Sequence, residues 1–224
     1  MGKLSWDGVG ERIYETGVDH GVLYVMDEDG YGRGVPWNGL TAVTESPSGA
    51  ESNKQYADNV VYLNLVSAEE FGGTIEAFTC PPEFSACDGL AEPSDGLTVG
   101  QQTRSTFGLS YRTKVGNDLA GQDAGYKLHL VYGLLASPSE KAYQTVNDSP
   151  EAMTLSWEVT STPVKVNDAL KPTSIITVDS TKVDAADLAA LEKRLYGAPA
   201  GAGGTPPETF ASLPLPAEVL AIFA

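Results

Sequence analysis

Two histidines are the residues best able to act as general acids or bases in this sequence. His20 precedes Gly21 in a predicted entering loop, and His129 lies between Leu128 and Leu130 in a predicted strand. A nucleophilic triad needs a histidine beside a serine or cysteine nucleophile, but the chain has no G-x-S-x-G motif and no H-E-x-x-H zinc pair. Because a lone histidine is more often structural than catalytic, we expect both to be structural and the chain not to be an enzyme.

The two cysteines, Cys80 and Cys87, are seven positions apart in a proline-containing segment. A tetrahedral zinc site would need two further ligands, and the sequence supplies few histidines. We therefore expect free thiols in or beside a loop and no metal site. A disulfide between them would require an oxidising particle, so that alternative stays open.

Two short motifs resemble ligand-binding loops, but each lacks residues that such a loop requires. Gly30 to Gly34 is glycine-rich, but it lacks the Walker lysine and no helix pattern follows whose N-terminus could hold a phosphate. Asp27 and Asp29 could begin a calcium loop, but Tyr31 occupies the next ligand position and no terminal glutamate follows. We read both as parts of a turn between two strands, and we expect no cofactor.

The charge of the chain excludes several partners. Of 224 residues, 14 are Lys or Arg and 30 are Asp or Glu, which gives a formal charge of −16. Tight sequence-independent binding to DNA needs cations that displace phosphate counterions, and an anionic membrane surface needs them as well. The sequence also contains no apolar stretch long enough to span a bilayer or to act as a signal peptide, so we expect synthesis in the cytoplasm and no membrane partner.

Alternation of apolar and polar residues is the dominant pattern and predicts a mostly β fold. Phe107, Leu109 and Tyr111 share one face of a predicted strand, and Trp157 and Val159 share one face of another. About eight such strands, separated by Gly, Pro and Asn, favour a β-sandwich or barrel over alternating βα units. Further apolar runs predict strands in these segments: 22–26, 60–65, 75–77, 126–132 and 175–178.

Two segments depart from this pattern and define the rest of the domain organisation. Residues 184–196 form a predicted helix, with Asp184 as the cap, one leucine stripe, and Gly197 at the left-handed position after it. Residues 44–59 are polar and contain Pro47 and Gly49, which predicts a long loop, and long loops are frequently functional.

The end of the chain is predicted to form a separate extension. We assign residues 1–197 to one β-sandwich domain with a flanking helix, and residues 198–224 to a Gly/Pro linker followed by an apolar peptide. Because a disordered end would not carry so many large apolar groups, we expect this peptide to dock on its own domain or on a neighbour.

Several motifs at separate places along the chain together indicate a resemblance to one protein family. Together they resemble the major tail proteins of long, non-contractile-tailed bacteriophages (siphophages), which are the subunits of the tail tube, over about residues 22–195. The motifs are Val35–Val43, Tyr56–Asn59, Gly73–Pro81, Gln101–Arg104, Phe107–Arg112 with Gly116–Asp118, Gly125–Gly133 and Asn147–Ala152.

The resemblance implies a structural virion protein. It implies a β-sandwich subunit that closes into hexameric rings, with sheets joined around an inner barrel, and rings that stack into a tube through which the genome is ejected. It also implies partners in the tail: further copies of the chain and the tape-measure, tail-tip and tail-terminator proteins. DNA would pass through the bore without tight binding, because acidic side chains repel phosphates.

The resemblance also suggests where contacts between rings lie. The segment 44–59, with Pro47 and Gly49, is the candidate for the loop that reaches a neighbouring ring, and the base of this loop is expected at Pro36, Trp37, Asn38, Gly39 and Leu40. On the polar faces of predicted strands, Glu76 and Glu158 are candidate acids facing the bore.

Two alternative classes remain at this stage. The first is another virion β-protein, such as a tail terminator or a capsid decoration protein, which would form single rings or isolated caps. The second is a soluble β-sandwich that binds a carbohydrate or peptide, which would need exposed aromatic residues clustered in a groove. Electron microscopy of the purified chain distinguishes filaments, single rings and monomers.

Overall fold

In the computed structural model, the described residues are Leu4, 6–143, Thr145, Asp148, 152–200 and 208–224. The predicted mostly β architecture with flanking helix is confirmed. The strands, in chain order, are β1 (Ile13–Asp27), β2 (Gly30–Tyr31), β3 (Val35–Trp37), β4 (Leu40–Glu45), β5 (Ser48–Gly49), β6 (Ser52–Ala57), β7 (Val60–Val66), β8 (Glu69–Glu70), β9 (Gly72–Ala77), β10 (Ala91–Ser94), β11 (Leu97–Val99), β12 (Phe107–Asn117), β13 (Gly121–Ala136), β14 (Leu155–Ser161) and β15 (Ile175–Asp179). The helices are a 3₁₀ turn (Pro82–Ala86), α1 (Ala185–Tyr196) and α2 (Pro216–Ile222).

Nine strands form one antiparallel sheet in the order β2-β1-β12-β13-β14-β9-β4, with β15 paired to β13 and β3 paired to β1. The sheet curls, because β3 and β4 at its two ends are joined by the tight turn at Asn38 and Gly39. Gly21 of β1 lies directly against the Leu40 side chain, where a Cβ atom would be 2.2 Å from Leu40 Cδ1. The result is a barrel-like layer of sheet that surrounds one apolar core.

Alternation in the strands produces two cores on the two faces of this sheet. The inner core is enclosed by the curled sheet and is rich in aromatic residues. Trp157 packs edge-on against Trp37 and Phe84 at centroid distances of 5.6 and 5.1 Å, and the Trp37 and Phe84 rings are tilted at 4.7 Å. The outer core lies between the sheet and the two helices. Its residues are Val22, Tyr24, Leu128, Leu130, Tyr132, Val178, Leu188, Leu191, Leu195, Leu213 and Val219.

Helix α1 occupies the segment that the leucine stripe predicts to be helical. Asp184 caps it by accepting a hydrogen bond from the amide of Ala186 at 2.8 Å, and Leu188, Leu191 and Leu195 are buried. Gly197 follows with φ 78°, the left-handed conformation in which glycine is unstrained.

The apolar C-terminal peptide docks on its own domain. Leu213 and Val219 are buried in the outer core, and Pro214 O accepts a hydrogen bond from the Tyr132 hydroxyl at 3.0 Å. Ala211 O accepts from Gly34 N at 2.8 Å. Of the two expected docking sites, its own domain or a neighbour, the peptide therefore occupies the first and covers the sheet as part of the same fold. Residues 201–207 of the linker lie outside the described residues.

The direction of the strands gives the barrel two distinct ends. The chain leaves the sheet after Glu45 of β4 and returns at Gly72 of β9, which places the segment between them at one end, here called end A. It leaves again after Ala77 and returns at Phe107, which places the segment between these residues at the opposite end, end B. The six residues of β9 separate the two ends.

Candidate assembly surfaces

The segment at end A is a β-hairpin rather than the loop predicted for residues 44–59. Residues up to Glu45 belong to β4, a short β5–β8 pair follows, and β6 pairs with β7 from Ser52↔Val66 to Ala57↔Val60. The prediction was wrong because β6 is a polar strand, and a strand without apolar alternation has no period-2 pattern. We call residues 46–71 the arm.

The turn of the arm is encoded by two residues. Asp58 and Asn59 have φ values of 50° and 64°, the left-handed pair that a two-residue hairpin turn requires and that Asp and Asn tolerate. At its root, Ser46 N donates to Gly72 O at 2.8 Å, and Gly49 has φ 81° with its α-carbon against Ala68 O. Pro47 stands between β4 and β5, so both predicted arm residues, Pro47 and Gly49, lie at the root.

The arm is apolar and exposed. Leu63 is 49% and Leu65 55% exposed, and the two side chains share one face of β7 opposite Gln55 and Asn53. Every residue of β7 is exposed, and among the described residues β6 and β7 pair with no other strand. The other large apolar side chains that this hairpin exposes are Tyr56, Val60, Val61, Tyr62 and Val66. An exposed apolar patch of this kind marks an interaction surface.

The outer half of the arm is also electrically neutral. Between Ser52 and Val66 the only charged residues are Lys54 and Asp58, whose charges cancel, whereas the whole chain carries −16. Two copies of so acidic a chain repel each other over most of their surfaces. The outer half of the arm therefore carries no net charge, in contrast to the acidic chain as a whole.

The predicted base residues lie elsewhere. Pro36 and Trp37 belong to β3, Asn38 and Gly39 form the turn, and Leu40 begins β4, so the length of β4 separates them from the arm at end A. This corrects the prediction that they form the base of the loop. Trp37 is instead a core residue: it is buried, and its Nε1 donates to Thr79 O at 2.9 Å.

Glu45 forms the actual base of the arm, together with two aromatic residues of the inner sheet face. The Tyr111 hydroxyl donates to Glu45 Oε1 at 2.5 Å, and His129 Nδ1 is 3.5 Å from the same oxygen. The His129 ring stacks on Tyr111 at 4.7 Å with an interplanar angle of 4°. Because His129 is largely buried, desolvation lowers its pKa below the usual 6.5, while the Glu45 carboxylate partly opposes this shift.

The two predicted bore-facing acids lie together on the outer face of the sheet. Glu76 of β9 is opposite Ser156 of β14, and Glu158 is opposite Thr74, so the carboxylates are diagonal neighbours on adjacent strands. Their in-strand neighbours Ile75, Ala77, Trp157 and Val159 point to the other face and are buried. Strands β4, β9 and β14 contain no Lys or Arg, so this face is polar and acidic.

End B carries a second, smaller hairpin, β10–β11, which we call the ribbon. Leu97 and Val99 are exposed on it, and its charged residues are Glu92 and Asp95, which give −2 without any cation between 91 and 99. Sequence reasoning did not single out this hairpin, although the Asp95-Gly96 turn signal is present.

The root of the ribbon is fixed by a buried carboxylate. Asp88 is nearly buried and lies between Lys141 Nζ at 2.6 Å and Arg104 Nη1 at 3.5 Å. Arg104 Nη1 also donates to Ala136 O at 3.1 Å, which ties the root to the end of β13. The ribbon therefore leaves end B from a well-supported position.

The two histidines and the two cysteines, the other residues considered for chemistry, have the following surroundings in the described part of the chain. His20 is exposed and pairs with Asp19 at 2.9 Å, far along the chain from His129. Cys80 and Cys87 are free, and burial raises the pKa of Cys87 to about 12, which keeps it a thiol. Within the described ranges, no three His, Cys, Asp or Glu side chains are grouped as metal ligands, and no helix is long and apolar enough to cross a membrane.

Comparison with known proteins gives two partial structural similarities. One is a chain of the sixfold-symmetrised cryo-EM baseplate of the anti-feeding prophage, with 10% identity and a TM-score of 0.38 over 80% of this chain and 100% of that one. The other is a chain of the extended sheath-tube complex of an extracellular contractile injection system, PVC, with 13% identity and a TM-score of 0.31 over 71% of this chain and 88% of that one. No protein-family model and no curated protein matches the sequence.

Proposed function

We propose that this chain is the tail-tube subunit of a long, non-contractile-tailed bacteriophage. Copies associate into rings, for which the resemblance implies hexamers, and the rings stack head to tail into the conduit for the genome. The protein resides in the tail of the virion, after synthesis in the host cytoplasm, and it acts as a structural protein rather than an enzyme.

The observation that carries the proposal is the arm. A hairpin that exposes apolar side chains along the whole of β7 and pairs with no other described strand is poorly stabilised within a single copy, because a two-stranded hairpin alone is marginal in water. Contact with another copy would bury these side chains. The neutrality of the outer half of the arm, residues 52–66, in a chain of charge −16 favours a second copy of this chain as that partner.

The geometry of the arm favours stacking over a closed dimer. A strand rises about 3.3 Å per residue, so the stretch from residue 46 to the Asp58 turn spans roughly 40 Å when extended, about twice the length of β9. The arm can therefore extend beyond end A of its own barrel and lie along the next copy. An interface between different surfaces on the two copies gives a filament when its rotation does not close a ring, as in rings that stack end to end.

The polar face with Glu76 and Glu158 is the surface we assign to the bore. It has carboxylates but no cations on β4, β9 and β14, so phosphates would be repelled rather than held. Screening acts over about 10 Å at 0.1 M salt, so only acids near the wall affect the passing DNA. The tape-measure protein, which the resemblance names as a partner, would occupy the same space before ejection.

Negative-stain electron microscopy and sedimentation of the purified chain, alone and with a tail-tip complex as nucleus, test the proposal. We expect tubes with a central bore. The variant Leu63→Asp/Leu65→Asp places two charges on the arm and should remove the tubes from the pellet while leaving the fold intact by circular dichroism. Leu170→Asp, on an exposed leucine of the segment between β14 and β15, is the matched control and should still form tubes.

Other outcomes of the same experiment point to other functions. Single rings that never stack would favour a tail terminator, and isolated caps a capsid decoration protein. A chain that stays monomeric at high concentration with its tail partners would favour a soluble ligand-binding protein. Any of these results would overturn the tube proposal.

A further inference from the structure

The arm and the ribbon project from opposite ends of one barrel. The arm connects β4 to β9 at end A, the ribbon lies between β9 and β12 at end B, and β9 runs between the two ends. In a head-to-tail stack, end A of one copy faces end B of the next. The two hairpins are therefore brought together between copies and are kept apart within a copy.

We infer that the ribbon is the surface on which the arm of the neighbouring copy docks. This inference rests on the proposed stacking and adds to it the identity of the receiving surface. The apolar side chains Leu63 and Leu65 of the arm pack against Leu97 and Val99 of the ribbon. All four are substantially exposed in the single copy, and burial of apolar surface provides the attraction.

The charges of the two hairpins are compatible with this contact. The ribbon carries Glu92 and Asp95 without a cation, whereas the outer arm is neutral and contains Lys54. The neutral outer half of the arm, residues 52–66, meets the acidic ribbon without net repulsion, and Lys54 supplies the one cation of this outer half that the carboxylates can attract. Most other contacts between two copies would bring acidic surfaces together.

The ribbon and the arm are held at their roots by different interactions, and those of the ribbon suit a receiving surface. The ribbon is held by the Asp88 carboxylate between Lys141 and Arg104, and Gln102 N donates to Gly89 O at 2.9 Å across its root. The arm is held at its base by Tyr111 and Glu45 and at its root by the short β5–β8 pair. A firmly rooted ribbon presents its apolar side chains in a fixed position, which lowers the entropy that docking must overcome.

Cysteine cross-linking tests the contact directly. In a Cys80→Ser background, with Cys87 buried, Leu63→Cys/Leu97→Cys tubes are treated with a short bismaleimide and run on a denaturing gel. We expect a ladder of multimers, because the two positions meet only between copies. Leu63→Cys/Leu170→Cys and the two single-cysteine variants are the controls and should give at most dimers. Tubes that form without a ladder would overturn the inference and leave the tube proposal standing.

Charge exchange gives a second test that does not depend on cysteines. Lys54→Glu should lower the pelleted fraction by about tenfold or more, because like charges then face each other. Adding Glu92→Lys/Asp95→Lys should restore assembly to within about twofold of the original chain. Full assembly of Lys54→Glu, or no restoration by the second change, would overturn the docking assignment. Failure of the unmodified chain to form tubes would instead overturn the tube proposal on which it rests.

Discussion

The Tyr111 hydroxyl donates a hydrogen bond to Glu45 Oε1 at 2.5 Å, across the interior from β12 to the last residue of β4. This bond joins the inner core to the residue at which the chain leaves the sheet to form the arm. Ionisation of Tyr111 is strongly disfavoured, because burial and the neighbouring Glu45 carboxylate both raise its pKa. The hydroxyl therefore remains a donor, and the arm has a fixed point of departure.

Tyr111→Phe removes this donor and should loosen the base of the arm. Glu45 is partly exposed, so water replaces some of the lost interaction, and we expect the free energy of unfolding to fall by about 1 kcal/mol. Limited proteolysis should cut the variant faster within the arm. Chemical denaturation measures the first effect, and mass spectrometry of early fragments measures the second.

Tyr126→Phe is the matched control for this prediction. The Tyr126 hydroxyl donates to Glu192 Oε1 at 2.7 Å, a similar bond to a carboxylate, but it joins β13 to α1. This variant should lose comparable stability without faster cleavage of the arm. Equal cleavage of the arm in both variants would show that Tyr111 stabilises the whole fold and does not fix the arm.

Protonation of His129 should make the protein less stable in mild acid. Desolvation lowers the folded-state pKa of His129 below 6.5, so the unfolded chain binds the proton more readily than the folded one. This contribution to stability is fully present above about pH 6.5. It decreases as the pH falls below that value, and it stops decreasing below the folded-state pKa. Urea denaturation of the original chain and of His129→Gln, across about pH 8 to 5, measures the difference.

The charged groups around His129 also affect its pKa and therefore the interpretation of this experiment. Desolvation by burial is the largest effect on the pKa of His129; Glu45 and Glu15 raise this pKa, and Lys127 lowers it. The Asp19 carboxyl has a lowered pKa, chiefly because Arg112 donates to it, so its contribution is lost only as the pH falls below 3.8. Parallel pH curves for His129→Gln and the original chain would contradict the prediction.

Alternation was sufficient to predict most of the sheet. In β14, Trp157 and Val159 are buried and Glu158 is exposed, as period 2 requires, and in β9 Ile75 and Ala77 are buried while Glu76 between them is half-buried. Helix α1 could be predicted equally well, because a capping Asp, a leucine stripe and a terminal Gly all indicate the same limits. Local patterns of this kind depend only on which face of an element is buried.

The arm could not be predicted in the same way. Its strand β7 reads Val60-Val61-Tyr62-Leu63, which is typical of a strand buried on both faces, yet all of these residues are exposed in the single copy. Such a pattern is typical of a buried strand, but it does not indicate whether the strand is buried by its own chain or by another.

Contacts between residues that are distant in the sequence could not be predicted either. Arg104, Asp88 and Lys141 meet only because β12 and β13 begin and end at the same side of the barrel. The Asn147–Ala152 motif, which contributed to the resemblance, lies outside the described residues except for Asp148 and Ala152. That Glu76 and Glu158 face a bore stays a prediction.

The C-terminal peptide should be essential for the stability of the fold. Leu213 is 5% exposed and lies against Gly108 of β12, so Leu213→Ala leaves a cavity between the peptide and the sheet. We expect it to cost about 2–4 kcal/mol in free energy of unfolding. Leu215→Ala, two residues away and 47% exposed, should cost less than about 1 kcal/mol. Equal losses, measured by chemical denaturation, would mean that the peptide does not pack as described.

The acidic face should affect the speed of genome passage rather than assembly. Glu76→Gln/Glu158→Gln removes two charges per copy from diagonal positions on β9 and β14, both on the face opposite the core. Because neither side chain packs in the core, tubes should form normally. DNA should leave the particle more slowly, since the wall then repels phosphates less. The rate of ejection from purified particles, followed with a DNA-binding dye after receptor addition, measures this effect.

A control variant with the same change in net charge shows whether the position of the removed charges matters for the ejection rate. Glu28→Gln/Asp168→Asn also removes two charges per copy, from the exposed β1–β2 turn and from an exposed loop. It should leave the ejection rate unchanged, because charges farther than a Debye length of about 10 Å from the DNA are screened. Raising the ionic strength should reduce the difference between the original chain and the Glu76/Glu158 variant for the same reason. If both double variants eject at the original rate, Glu76 and Glu158 do not contribute to an electrostatic bore, and another face of the subunit lines it.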